Sequence, residues 1–163
     1  GAMGFSGDDG RTSIFDYCSI PTLVRWYNNG NCGIQKLNNK ERKIRAFYKK
    51  VLRLCNGEKA ISEGAFFDLM YVNYHNLNPN KQYLYLRHYE NETLLIAVNF
   101  DSQDATVYAD IPQHAFDFLK IDSGTYFMKE LISGKQKTVE FSSNAKFELH
   151  IPAHNGVVWK IVK

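Results

Sequence analysis

Long apolar runs are missing from this chain. The longest, TLLIAV at Thr93–Val98, falls far short of the ~20 residues that cross a bilayer as a helix, so no membrane is expected as a partner. A basic n-region followed by an apolar h-region is missing too, and the sequence as it stands carries no signal peptide. Gly1-Ala2-Met3 reads as a cloning scar, with the protein's own sequence starting mid-protein near Gly4. Any targeting segment of the parent would then lie outside it. Cysteine is scarce: Cys18, Cys32 and Cys55 form an odd set without CxxC spacing, which argues against a disulfide framework and against a zinc site. Cys18 and Cys32 remain a pair whose geometry the sequence does not test, and the redox compartment stays open. The net charge of +3 is too small to argue for a polyanion such as nucleic acid.

Chemistry-bearing motifs are equally sparse. There is no Gly-rich phosphate loop and no GxSxG. His150 and His154 have the spacing of a helical metal pair, but Pro152 stands between them in a strand-to-turn passage. His75, His88 and His114 are isolated, so no metal and no cofactor is expected. Asn91-Glu92-Thr93 matches the glycosylation acceptor pattern, a three-residue match that chance supplies often.

What is present suits a packed domain: 163 residues, 44% of them hydrophobic and 14% aromatic, about one domain with a real core. The organising stretch is Tyr83–Phe100. Tyr83, Tyr85, Arg87 and Tyr89 alternate with Leu84, Leu86 and His88, the period of a half-buried strand. Thr93–Phe100 is apolar almost throughout, as in a strand covered on both faces. Glu90-Asn91-Glu92 is the polar break of an antiparallel hairpin. Further strands are expected near 65–73, 104–110, 125–132, 136–141, 146–151 and 156–162, with a helical turn in Pro112–Leu119 and a tight turn at Ser133-Gly134. The expected fold is mainly β, an antiparallel Greek-key sandwich of about eight strands. Its core should include Leu84, Leu86, Leu95, Ala97, Leu149, Ile151, Val158 and Ile161.

Before the strands comes one long amphipathic helix over 38–57. Asn38 and Glu41 set up a variant capping box, and Gly57 is read as the C-terminal cap. At 100° per residue Ile44, Phe47, Tyr48, Val51, Leu52, Leu54 and Cys55 share one arc, with Cys55 acting as a small hydrophobe. Arg42, Lys43, Arg45, Lys49, Lys50 and Arg53 occupy the opposite side and its flanks, a solvated face rather than a nucleic-acid site. Residues 4–37 are irregular apart from a turn or two of helix at Pro21–Tyr27, and Asn28-Asn29-Gly30-Asn31 breaks the chain. Phe15, Tyr17, Trp26 and Tyr27 are much aromatic surface for such a segment. Two readings stand: they pack on a domain that is not present, or Trp26, Tyr27 and Tyr17 stack on sugar rings.

The helix RKIRAFYKKVLRLCNG, GAFFDL, the YxYLR strand, the acidic turn, LLxAVNF, GTYFMKELISGK and the closing FELHIPAHNGVVWKIVK follow one another in the order seen in α-amylase-family glycoside hydrolases. Over most of 38–163 the chain resembles the C-terminal region of that family. The resemblance implies a remnant of the end of the catalytic barrel at 4–58 and a β-sandwich domain at 59–163. It implies a non-catalytic domain of an enzyme acting on α-glucans such as starch or maltooligosaccharides, stabilising the barrel of the same parent chain. The alternative is a carbohydrate-binding module anchoring the enzyme to a starch-like polymer, for which Tyr71, Tyr74, Tyr83, Tyr85, Tyr89, Tyr108 and Tyr126 supply aromatics, though most fit a strand's alternate face equally well. It also makes Ile44, Phe47, Tyr48, Val51 and Cys55 a domain interface, covered in part by Phe66, Phe67 and Leu69 of the sheet. In this fragment residues 4–37 would fold back over the rest or, if that is not enough, a second copy would be the substitute partner, as a symmetric homodimer or through a swapped N-terminal segment. The compartment stays open, with a lean to an extracytoplasmic parent.

A retaining glycosidase needs two carboxylates ~5–5.5 Å apart, and this family sets them at strand ends of a barrel that takes ~250 residues. The chain is too short for one, and none of the family's catalytic-strand motifs surrounds its Asp or Glu residues. Glu90 and Glu92 flank a turn, Asp101 and Asp104 lie in a loop, and Glu140, Glu148 and Asp68 should face outward on strands. The fragment is therefore not expected to be an enzyme by itself.

Overall fold

The structure, a computed structural model, describes residues 20–163. The chain falls into two compact units, residues 1–50 and 51–163.

In the first unit, α1 (Pro21–Tyr27) begins with Pro21 in its first turn, where a missing N–H costs nothing. It ends at Asn28 in the left-handed region, and a 3-10 turn Asn28–Gly30 follows. The second helix, α2 (Asn39–Gly57), starts in this unit with the expected capping box. The Asn38 side chain accepts from the Glu41 N–H, and the Glu41 carboxylate accepts from the Asn38 N–H, each at 2.9 Å. Gly57 is not a left-handed cap, because its φ is not positive and the chain simply turns once more into α3 (Lys59–Ser62).

The second unit is a sandwich of antiparallel strands. β1 (Ala65–Asp68), β2 (Gln82–Tyr89), β3 (Glu92–Asn99), β8 (Asn155–Val162), β5 (Gly124–Glu130) and β6 (Gln136–Phe141) form one sheet in that spatial order. β4 (Ala105–Asp110) and β7 (Lys146–Ile151) form the second sheet. β8 inserts between β3 and β5, as a Greek-key path requires. The hairpin is central, with Leu86 opposite Leu95 and a two-residue turn, Glu90-Asn91. Glu92 belongs to the strand rather than to the break.

Strand parity decides the core. Leu84, Leu86, Leu95, Ala97, Leu149, Ile151 and Ile161 are all buried between the two sheets, together with Met128, Phe141, Phe147 and Trp159. Val158 is the exception among the expected core residues. In β8 it is Val157, Trp159 and Ile161 that point inward, and Val158 lies on the outer face with Ala60, Leu94 and Ile96. A period of two forbids Val158 and Ile161 from sharing a face.

The strand expected over 65–73 stops at Asp68. The Asp68 side chain accepts from the Met70 N–H at 2.9 Å and starts a helical turn, α4 (Met70–Asn73). Asn73, fully buried, then ties that turn to β4: its amide donates to the Leu69 and Asp110 carbonyls, and its oxygen accepts from the Asp110 N–H. Phe67 and Leu69 lie in the sandwich core rather than on the face expected to cover the long helix; of the three, Phe66 alone is turned out. The helical turn after Pro112 is α5 (Gln113–Leu119), which seats Ala115, Phe116 and Leu119 on the core. At the Ser133-Gly134 turn, Gly134 takes a φ of +83° that a side chain would oppose.

Candidate functional site

Three surfaces follow from this arrangement. In the first unit, α1 is tied to the start of α2 through Glu41. Its carboxylate accepts from the Thr22 hydroxyl at 2.7 Å and from the Arg25 guanidinium. Arg25, then Thr22, then the Asn38 N–H hold the Glu41 carboxyl down at about 2. Trp26 and Tyr27 lie on α1, 38% and 57% exposed as residues, and their carbonyls accept from the Gly33 and Cys32 N–H groups. Tyr17 and Phe15 lie outside the described residues, as does Cys18 and hence its pairing with Cys32.

The second surface is the apolar stripe of α2. No residue of this helix is buried. Ile44 is 49% exposed, Phe47 39%, Tyr48 62% and Leu52 60%, while Val51, Leu54 and Cys55 are half-buried. Phe47 and Tyr48 meet edge to face at 6.2 Å. Full burial of one large apolar side chain is worth ~1.5–3 kcal/mol, so these residues are spending little of what their composition offers.

The third surface is the outer face of the six-stranded sheet, which carries Tyr83 and Tyr85 of the aromatics expected for a carbohydrate-binding module. Phe66, Tyr85 and Tyr83 line it as tilted rings with centroids 5.4 and 5.6 Å apart. Phe66 and Tyr83 remain exposed, whereas Tyr85 packs on Leu94 and Ile96. A polar clamp fixes α3 beside them. Lys160 donates to Glu58 at 2.6 Å and to Glu92 at 3.0 Å, and Glu92 accepts from the Ala60 N–H. Arg87 donates to the Ala60 and Ile61 carbonyls. Burial works against the Lys160 charge, and the two carboxylates more than offset it, raising its pKa. The signal was present in the alternation itself: Tyr83, Tyr85 and Arg87 share one parity.

The carboxylates weighed as candidates for chemistry have local partners. Asp101 pairs with Lys81 at 2.8 Å, Asp104 accepts from the Ala153 N–H, and Glu92 belongs to the clamp. Among the described residues no cluster of three His, Cys, Asp or Glu side chains is placed to hold a metal ion. An open cleft of about 410 Å³ lies beside His88, Thr93, Tyr126 and Lys163. There His88 Nδ1 sits 2.9 Å from the Thr93 hydroxyl, and burial lowers the pKa of the imidazole.

No protein-family model and no curated protein matches this chain. Solved structures do. The α-amylase of Geobacillus thermoleovorans, complexed with acarbose, aligns with a TM-score of 0.57 at 16% identity over 82% of this chain and 24% of its own. AmyB, a maltogenic α-amylase of Thermotoga neapolitana, gives 0.55 at 15% identity over 78% and 27%. An Anoxybacillus α-amylase gives 0.52 at 18% identity over 74% and 22%. The chain thus spans about a quarter of the length of the enzymes it matches, and its fold is that of a part of α-amylase-family glycoside hydrolases.

Proposed function

We infer that this chain is the non-catalytic C-terminal region of an α-amylase-like glycoside hydrolase acting on α-glucans, and that it stabilises the catalytic barrel of the same parent. Residues 4–58 are then the end of that barrel and 59–163 the sandwich domain. The observation that carries the reading is the apolar stripe of α2, with Ile44, Phe47 and Tyr48 exposed and Val51 and Cys55 only half-buried, on a chain whose fold accounts for only about a quarter of each matched enzyme. A stripe of that length left in water marks a surface made for a partner. Without the barrel, a second copy is its substitute.

The test mixes the chain with the remainder of the parent produced separately. Association should raise the melting temperature of the barrel, and Phe47→Asp should abolish the rise. Light scattering of the isolated chain should show concentration-dependent dimers that Phe47→Asp dissolves. A barrel indifferent to the chain would end the docking reading. A reducing-sugar assay on soluble starch should find no turnover by the pure chain.

A second reading, a carbohydrate-binding module, is favoured by the exposed rings of Trp26 and Tyr27. It predicts saturable binding of a maltooligosaccharide.

A further inference from the structure

β1 is an end strand of the large sheet and pairs with β2 alone. Leu69 donates its N–H to the Leu84 carbonyl at 3.2 Å. Bonded and non-bonded pairs alternate along an antiparallel ladder, so Phe67 and Ala65 also turn their backbone groups toward β2. The N–H and C=O groups of Phe66 and Asp68 therefore point off the open edge, and among the described residues nothing bonds to them. The strand at the other end, β6, is guarded by Lys137, whose ammonium reaches the Glu148 carbonyl of β7 at 3.2 Å. β1, AFFD, carries no cation.

The side chains along this edge state what it would take. Phe66 and Asp68 share the outer face with Tyr83 and Tyr85 of β2, and Phe66 is 45% exposed. On the other face Phe67 meets Phe118 of α5 at 6.0 Å, and Phe118 is 62% exposed. Asp68 is exposed, with its Oδ1 on the Met70 N–H and no ion pair among the described residues. It lies close enough to Tyr71 and Tyr83 that, after burial, its charge is what raises the pKa of their hydroxyls. Cations on the adjoining elements are engaged elsewhere: Arg87 on the Ala60 and Ile61 carbonyls, Lys81 on Asp101, Lys146 on Asp110. A carboxylate beside ring faces suits a guanidinium, which stacks on a ring while it donates to the oxygens. A second β1 is the wrong occupant. Laid antiparallel about Phe67, it sets two Asp68 side chains on one face with no cation between them.

We propose that the free edge of β1 receives an extended segment of a partner protein as an added antiparallel strand, with an arginine against Asp68 and an apolar side chain against Phe118. Main-chain bonds to Phe66 and Asp68 supply affinity, and the alternating side chains supply selectivity. This edge is independent of the α2 stripe, so the 163-residue chain is tested alone. The probe is the peptide acetyl-TRVYT-amide, whose Arg, Val and Tyr fall opposite Asp68, Phe67 and Phe66. Titrated into the 15N-labelled chain, it should give saturable shifts and slowed hydrogen exchange at the Phe66 and Asp68 N–H groups. Asp68→Asn keeps the acceptor for Met70 and removes the charge; it should weaken binding about tenfold, as should Glu for Arg in the peptide. Methylating the backbone nitrogen of the peptide's Tyr, which faces β1, should abolish binding. Phe66→Pro should do the same without touching the ladder to β2, and it keeps the test alive if Asp68→Asn disturbs the turn at Met70. Binding that survives N-methylation or that Asp68→Asn leaves at full strength overturns the site. So do shifts that spare Phe66 and Asp68, or none at ~10 mM peptide, where a Kd of about 1 mM would show.

Discussion

Replacing Glu130 with glutamine tests whether one buried carboxylate holds the turn after β5 and its junction with β8. Glu130 is 2% exposed. Its Oε1 accepts the N–H groups of Ile132 and Val158, each at 3.0 Å, and its Oε2 accepts that of Ser133. Burial by itself would push this carboxyl up. The hydrogen bonds from Ser133, Val158 and Ile132 outweigh it, and its pKa lies below the ordinary 4.5. A hydrogen bond to a charged group is worth ~1.5–3 kcal/mol, and a buried donor left without a partner costs ~1–3 kcal/mol. Ser133 is exposed and Ile132 half-buried, so water replaces the acceptor at those two N–H groups. Val158 lies inside the sheet, where water has little access, and its N–H sets the size of the loss. Glutamine keeps one acceptor, loses the charge and turns an NH2 toward a donor. The expected loss is ~1.5–3 kcal/mol, or ~2–4 °C in Tm for each kcal/mol. Urea unfolding followed by Trp159 fluorescence measures it, with the exposed Glu148→Gln as a control expected within ~0.5 kcal/mol of the parent. Because the folded-state pKa is depressed, the carboxylate's contribution is complete above pH 4.5 and fades as pH falls through the folded value. The gap between parent and variant must therefore narrow in acid. A loss under ~0.5 kcal/mol at neutral pH, or an equal gap at pH 3 and pH 7, refutes the argument.

Three further outcomes follow from the same structure. Leu86→Ala and Leu95→Ala, opposite each other in the central hairpin and both fully buried, should each cost ~2–5 kcal/mol in chemical denaturation. Glu90 occupies the first turn position with φ +51°, where glycine is at ease, so Glu90→Gly should be neutral to stabilising by ~1 kcal/mol; a clear loss would mean that the turn has another conformation. Glu41, held at about 2 by Arg25, Thr22 and the Asn38 N–H, keeps α1 in place above pH 4.5 and releases it as pH falls through about 2. Trp26 fluorescence in a Trp159→Phe background should report that release, and Arg25→Met should move its midpoint up toward 4.5.

What the sequence made legible was periodic. The alternation of Leu84 and Leu86 and the unbroken run from Thr93 to Ala97 placed β2 and β3, and the 100° arc of α2 placed its stripe. The helix cap at Asn38 and Glu41 was readable because its donors and acceptors lie three residues apart. Features that depend on partners distant in sequence were not. The strand from Ala65 ends early because Asn73 finds the backbone of Asp110, 37 residues on. The basic Lys160 reads as surface until Glu58 and Glu92 arrive from 102 and 68 residues away. Glu130 lay between the two cases. It shares parity with Tyr126 and Met128, so the alternation already pointed it inward, and only its charge argued otherwise.

The same parity explains why the outer face of the large sheet is half finished. β3 is apolar on both sides, which demands a cover over Leu94 and Ile96, and α3 provides one through Ala60, a residue small enough to let helix backbone approach the strands. Gly64 follows for the same reason: a Cβ there would lie 2.4 Å from the Ala60 carbonyl oxygen. The clamp of Lys160, Glu58, Glu92 and Arg87 holds that cover down. Beyond it the cover ends, and Phe66 and Tyr83 stay in water while Ile96, one strand over, is only 6% exposed. Exposed rings at the end of a cover that four charged side chains hold in place are costly to keep in a free-standing domain and natural in one that meets a neighbour.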